Sequence, residues 1–148
     1  MLIIKKDIIM KTLSLIITLI LSTTLSFAQT ETKQEVTVTI ENIANNRGSL
    51  SVALHSQETF MKSVGVQNVS SKITGDKVIV TFKDVTPGNY AIMVLHDENN
   101  NQQMDFEPNG MPLESYGISN NPMLMGPPRF SDGKFEVLDK NIELTIKL

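Results

Sequence analysis

Strict alternation of apolar and polar residues constrains this chain more than any other feature. Val36, Val38 and Ile40 alternate with Thr37, Thr39 and Glu41, and Leu50, Val52 and Leu54 alternate with Ser49, Ser51, Ala53 and His55. Val78, Val80 and Phe82 form a third row, and Ile142, Leu144, Ile146 and Leu148 alternate with Glu143, Thr145 and Lys147. A period of two sends successive side chains to opposite faces, so these stretches read as half-buried strands. Tyr90–Leu95 is apolar on both faces, which predicts a central strand covered twice. Val66–Ile73 reads as a weak strand, Phe135–Val137 as a short one, and Gln57–Val64 as a short helical turn. Asn45-Asn46-Arg47-Gly48, Gly75-Asp76 and Asp84-Val85-Thr86-Pro87-Gly88 supply the turns and a corner between them. About seven short strands without a long helix predict an all-β domain, a seven-stranded antiparallel β-sandwich spanning residues 35–148 with one long irregular loop.

The first 28 residues read as an address. Lys5, Lys6 and Lys11 precede an apolar run from Leu13 to Leu21, and Ser26-Phe27-Ala28 offers the small residues a signal peptidase reads. Met10-Lys11-Thr12 would begin a tidier signal, so the start is Met1 or Met10. The run is short for a membrane span, which needs about 20 apolar residues, and no transmembrane segment is expected after cleavage. The expected destination is the periplasm or the outside of a bacterial cell. Residues 29–34 are polar and read as a disordered tail.

Composition narrows the chemistry. The chain has no Cys, which excludes disulfides, thiolate metal sites, a thiol nucleophile and a lipoprotein anchor after the cleavage site. Removal of residues 1–28 takes away three Lys and one Asp and leaves ten basic residues against fifteen acidic ones. That balance argues against nucleic acid as a partner.

The strand pattern breaks between His96 and Asp132, and long irregular stretches in small domains often carry function. From Asp84 to Pro128 there is no Lys or Arg, while six carboxylates occur: Asp84, Asp97, Glu98, Asp105, Glu107 and Glu114. Such a block attracts a cation or a basic partner, or is simply a solvated acidic loop. Asp97, Asn99, Asn101 and Asp105 stand at positions 1, 3, 5 and 9 of a loop in which Gln103, at position 7, offers a backbone carbonyl. Oxygens at alternating positions can wrap a hard cation, and Ca²⁺ takes six to eight of them. The competing reading is an Asn-rich turn that caps its own backbone. Gln102 replaces the usual Gly of such a loop and Pro108 its final Glu, so this is no EF-hand proper; Glu107 is a neighbour that could substitute. The missing Glu places any affinity for Ca²⁺ at the weak end, on the order of 10⁻⁴–10⁻³ M.

His96 shares the parity of Tyr90, Ile92 and Val94 and reads as an inward structural histidine. A soft-metal site of His55 and His96 has too few ligands. A hydrolase using His96 and Asp97 would need Ser115 or Ser119 as nucleophile, and no motif marks either; no catalytic residue is therefore assigned, and the chain reads as non-enzymatic. Pro108–Phe130 holds five of the six prolines together with Met111, Leu113, Tyr116, Ile118, Met123, Leu124, Met125 and Phe130. It is too apolar for free disorder and predicts a lid on the sandwich. The alternative is a surface for a protein partner or small ligand formed by Tyr116, Met123, Leu124 and Met125.

Several of these motifs occur together in a pattern. Pro87-Gly88-Asn89-Tyr90-Ala91-Ile92, His96-Asp97-Glu98-Asn99-Asn100-Asn101, Asp105, Pro112, Tyr116-Gly117-Ile118-Ser119-Asn120-Asn121 and Gly126-Pro127-Pro128-Arg129-Phe130 resemble an exported bacterial family, domain of unknown function family 2141. The resemblance covers most of the chain after residue 28. It implies export and a transthyretin-like or immunoglobulin-like β-sandwich, and brings no established activity. The chain departs from the family pattern at Asn100 and Gln102, where Gly is frequent. Gly eases a positive φ, so a tight calcium-type turn is not assured by the pattern alone.

Overall fold

The computed structural model describes residues 32–148. The signal segment read at 1–28 and the first half of the polar tail, residues 29–31, lie outside the described residues. The chain order is β1 (Gln34–Glu41), β2 (Ser49–His55), β3 (Gln67–Lys72), β4 (Val78–Val85), β5 (Gly88–Asp97), β6 (Tyr116–Ile118), a single helical turn α1 (Phe130–Gly133), β7 (Phe135–Val137) and β8 (Ile142–Lys147). No described helix is long and apolar enough to cross a membrane.

The strands form two sheets, β4-β1-β8 and β3-β2-β5-β6, with β7 pairing the start of β5. Their inward rows meet in one core: Val36, Val38, Ile40, Val80, Phe82 and Ile146 from the first sheet, Leu50, Val52, Leu54, Ile92 and Val94 from the second. All eleven are at most 3% exposed. The alternation therefore does what a half-buried strand requires, and the fold is an all-β sandwich.

Three features differ from the expectation. The described residues form eight strands, because Tyr116–Ile118 pairs with Met93–Leu95. The sheets are not wholly antiparallel, because β8 runs parallel to β1, with Val36 opposite Ile142 and Glu41 opposite Lys147. Alternation sets which face is buried but carries no information on strand direction. Finally, β1 begins at Gln34, which is 8% exposed, one residue inside the expected tail.

A smaller apolar cluster lies apart from the main core. Phe60, Ala91 and Ile118 are buried there, with Met93, Leu124 and Phe130 packed against them. Phe60 stands edge-on to both His55 and Phe130. Phe60 comes from the turn after β2, where Phe60 N–H donates to Ser56 O and Ser63 N–H to Thr59 O. This cluster covers β5 at Ala91 and explains why that strand is apolar on both faces. At the β4–β5 corner, Tyr90 Oη donates to Thr86 O at 3.0 Å, locking the chain reversal as tyrosine corners do in other sandwiches.

Candidate functional site

The irregular segment is mounted on the end of β5. Its footing is the β1–β2 turn, where Gly48 has φ +66° and a Cβ would lie 1.9 Å from Asp97 O. Only glycine permits that approach. The same turn straps the loop in place. Arg47 pairs with Glu98, Asn45 Nδ2 donates to Glu98 Oε1 at 3.1 Å, and Ser49 Oγ donates to Asn100 Oδ1 at 2.9 Å. His96 is fully buried. Its Nε2 donates to Arg47 O at 2.9 Å, so in the neutral ring Nδ1 is the acceptor, and it has no partner.

The loop from Asp97 to Asp105 closes on itself. Asp97, only 2% exposed, accepts Asn101 N–H on Oδ1 at 3.1 Å and Gln102 N–H on Oδ2 at 2.8 Å. Asn99 Oδ1 accepts Asn101 N–H at 2.9 Å, and Asn101 Oδ1 accepts Gln103 N–H at 2.8 Å. The ends of Asn99, Asn101 and Asp105 converge: Asn99 Nδ2 lies 2.6 Å from Asp105 Oδ2, and Asn101 Nδ2 lies 3.0 and 3.1 Å from the two Asp105 oxygens. A half-turn of either carboxamide about its last bond places oxygen where nitrogen stands. Each half-turn also gives up one of the bonds to Asn101 or Gln103 N–H.

Among the described residues, no three His, Asp or Glu side chains gather as a metal set. What converges is one carboxylate and two carboxamides, backed by Asp97, whose oxygens each keep a lone pair beyond the bond they make. Gln103 is exposed and contributes its N–H to the turn. Asn100 and Gln102 have φ of +59° and +62°. The left-handed turn that Gly would ease is therefore made by the residues this chain has there.

Glu107 does not substitute in the loop. It lies in a hairpin running from Asp105 to Leu113, where Leu113 N–H donates to Asp105 O, Glu107 N–H to Met111 O and Gly110 N–H to Glu107 O, each at 2.8 Å. Its carboxylate accepts Asn109 Nδ2. The carboxylate that does reach the loop is Glu114, 7% exposed, accepting Glu98 N–H at 3.0 Å and Asp105 N–H at 3.3 Å. The sequence reading counted Glu114 only as part of the acidic block. The signal available was a lone carboxylate among apolar residues, and no spacing rule connects it to Asp105.

Ser119, considered as a nucleophile, is fully buried. Its hydroxyl donates to Gly133 O and accepts Ile92 N–H at 2.9 Å. The two residues after it act similarly. Asn120 Nδ2 donates to Lys134 O at 2.9 Å, while Asn121 bonds both Thr145 O and Lys147 N–H at 2.8 Å, standing in for a neighbouring strand beside β8. At Gly117 a Cβ would lie 2.7 Å from Ile146 Cγ2 and Lys147 O, so β6 lies directly against β8.

The four residues read as a contact surface separate. Tyr116 and Leu124 line an open cleft of about 410 Å³ together with Ile118, Asn121 and Pro122. Met123 and Met125 instead face solvent, 93% and 97% exposed. The lid is thus held to the sandwich at Leu124 and Phe130, while the hairpin before β6 is not packed down.

An all-β sandwich with its irregular segment stapled to both sheets defines the class of protein. The chain matches the family described as "Uncharacterized protein conserved in bacteria (DUF2141)" over residues 38–145, and it belongs to that family. No curated protein and no solved structure is significantly similar to it.

Proposed function

We propose that the protein is exported and acts as a non-enzymatic β-sandwich whose Asp97–Asp105 loop takes a hard divalent cation of the calcium type. The observation that carries this reading is the convergence of the Asn99 and Asn101 carboxamides on Asp105, each within 2.6–3.1 Å of its carboxylate, beside a buried Asp97. Only two carboxylates face the ion, and the Asn oxygens must leave backbone donors to reach it. Both facts favour weak affinity, on the order of 10⁻⁴–10⁻³ M, which suits an extracellular ion. Glu114 ties the loop to the segment that follows it, so the ion stabilises both.

The test is thermal unfolding of the protein in calcium and in chelator. Binding to the native state alone adds RT ln(1 + [L]/Kd), about 1.4 kcal/mol at ten times Kd. The midpoint should rise by several degrees in several millimolar calcium, and the rise should vanish in Asp97→Asn/Asp105→Asn. Identical melts in both buffers would remove the ion from the account. A second reading, a small-ligand module without metal, is favoured by the cleft beneath Tyr116 and Leu124. It predicts melts indifferent to calcium and a Tyr116 fluorescence change with ligand.

A further inference from the structure

The hairpin from Asp105 to Leu113 places three large apolar side chains outside the sandwich. Phe106, Met111 and Leu113 are 58%, 61% and 59% exposed. Phe106 pairs across the hairpin with Pro112, and the reversal runs through Pro108-Asn109 into Gly110 at φ +84°. Asn109 Oδ1 accepts Met111 N–H, which stiffens the tip. Two-stranded hairpins are marginal alone, but this one is clamped at its base. Glu114 holds Asp105 N–H, and Ser115 O accepts His96 N–H from the end of β5. The apolar groups are thus presented on a braced arm and have no role in either apolar cluster of the fold. An arm held in one shape loses little conformational freedom on association.

Charge states what the arm fits. No Lys or Arg occurs from Asp84 to Pro128, and the arm carries Asp105 and an exposed Glu107 above the buried Asp97 and Glu114. Arg47, the cation at its foot, is already paired with Glu98. Such a surface repels nucleic acid and anionic lipid headgroups and attracts cationic groups. We propose that the Asp105–Leu113 hairpin is a docking arm for a basic, apolar-rich segment of a partner protein, with Phe106, Met111 and Leu113 as its anchors and Glu107 facing the partner's positive charge.

The probe is a random peptide display library panned on the protein, with Phe106→Ser/Met111→Ser/Leu113→Ser as counter-target. Because all three side chains are more than half exposed, the variant should keep the wild-type melt. Selected peptides are expected to be net positive and rich in apolar residues, to bind at least about tenfold more weakly to the triple variant, and to lose affinity for Glu107→Lys, which tests the charge without touching the apolar groups. Acidic or neutral winners, an empty selection, or equal binding by the variants would overturn the proposal. Phe106-dependent binding to phosphatidylglycerol vesicles would overturn it too, by naming a lipid surface as the occupant. Running each arm in calcium and in chelator separates this proposal from the cation reading, since the anchors do not use the ion.

Discussion

Gln102 offers a direct measure of how firmly the loop after β5 is built. It is a non-glycine residue at φ +62°, and its N–H donates to Asp97 Oδ2 at 2.8 Å. The left-handed region costs an L-residue roughly 1–2 kcal/mol through the clash of Cβ with the following carbonyl. Glycine removes that clash and keeps the N–H. Against this, glycine widens the unfolded ensemble, which costs about 0.4–1 kcal/mol. The expected net for Gln102→Gly is a stabilisation of about 0.5–1 kcal/mol, since an exposed Gln side chain loses no packing. For a domain of this size that is roughly 2–4 °C in melting midpoint. Gln103→Gly is the control: Gln103 is also exposed but has no positive φ, so only the unfolded-state cost remains and the midpoint should fall. Asn100→Gly should lower the midpoint, because Asn tolerates the left-handed region better than Gln and the change removes the acceptor of Ser49 Oγ. Differential scanning calorimetry at neutral pH reads all three. If Gln102→Gly melts no higher than Gln103→Gly, Gln102 does not occupy the left-handed turn and the closed loop geometry is wrong.

Other outcomes follow from single contacts. Ser119→Ala leaves Ile92 N–H and Gly133 O without their buried partner and should cost about 1–3 kcal/mol in urea unfolding. Leu124→Ala should lower stability by about 1 kcal/mol or more by loosening the smaller apolar cluster, while Met123→Ser and Met125→Ser should stay within about 0.5 kcal/mol of wild type because both side chains face solvent. Burial pushes the His55 imidazole below its usual pKa, against a smaller opposing effect of its contact with Thr59. The unfolded chain then binds the proton more readily, so the contribution is fully present above about pH 6.5 and declines as pH falls below it. His55→Gln should flatten that part of a stability–pH curve measured between about pH 5.5 and 7.

The strands were legible because their sides face different media. The row Val36, Val38, Ile40 against Thr37, Thr39, Glu41 reports burial residue by residue, and burial follows it. Direction and partner were not legible. The same alternation at Ile142–Lys147 serves a parallel or an antiparallel neighbour equally well. Tyr116–Ile118 is three residues long, too short for a period to show. At the site, Asp97, Asn99, Asn101 and Asp105 could be grouped because a local loop needs only local spacing. Glu114 could not, since its reach to Glu98 and Asp105 depends on how the hairpin returns. Ser119-Asn120-Asn121 stood out in sequence only as part of the family pattern, and nothing there shows that its side chains bond the backbone at three separate places, Ile92, Lys134 and Thr145.

The parallel pairing of β1 with β8 has a consequence for assembly. β1 is the middle strand of its sheet, flanked by β4 and by β8, the last of the described strands. Whether the polypeptide leaves a ribosome or threads through a pore amino end first, β1 must wait with one flank open until β8 arrives, about a hundred residues later. A chain halted before Ile142 would carry a bare row of amide groups along β1, and with it an invitation to pair with a neighbouring molecule.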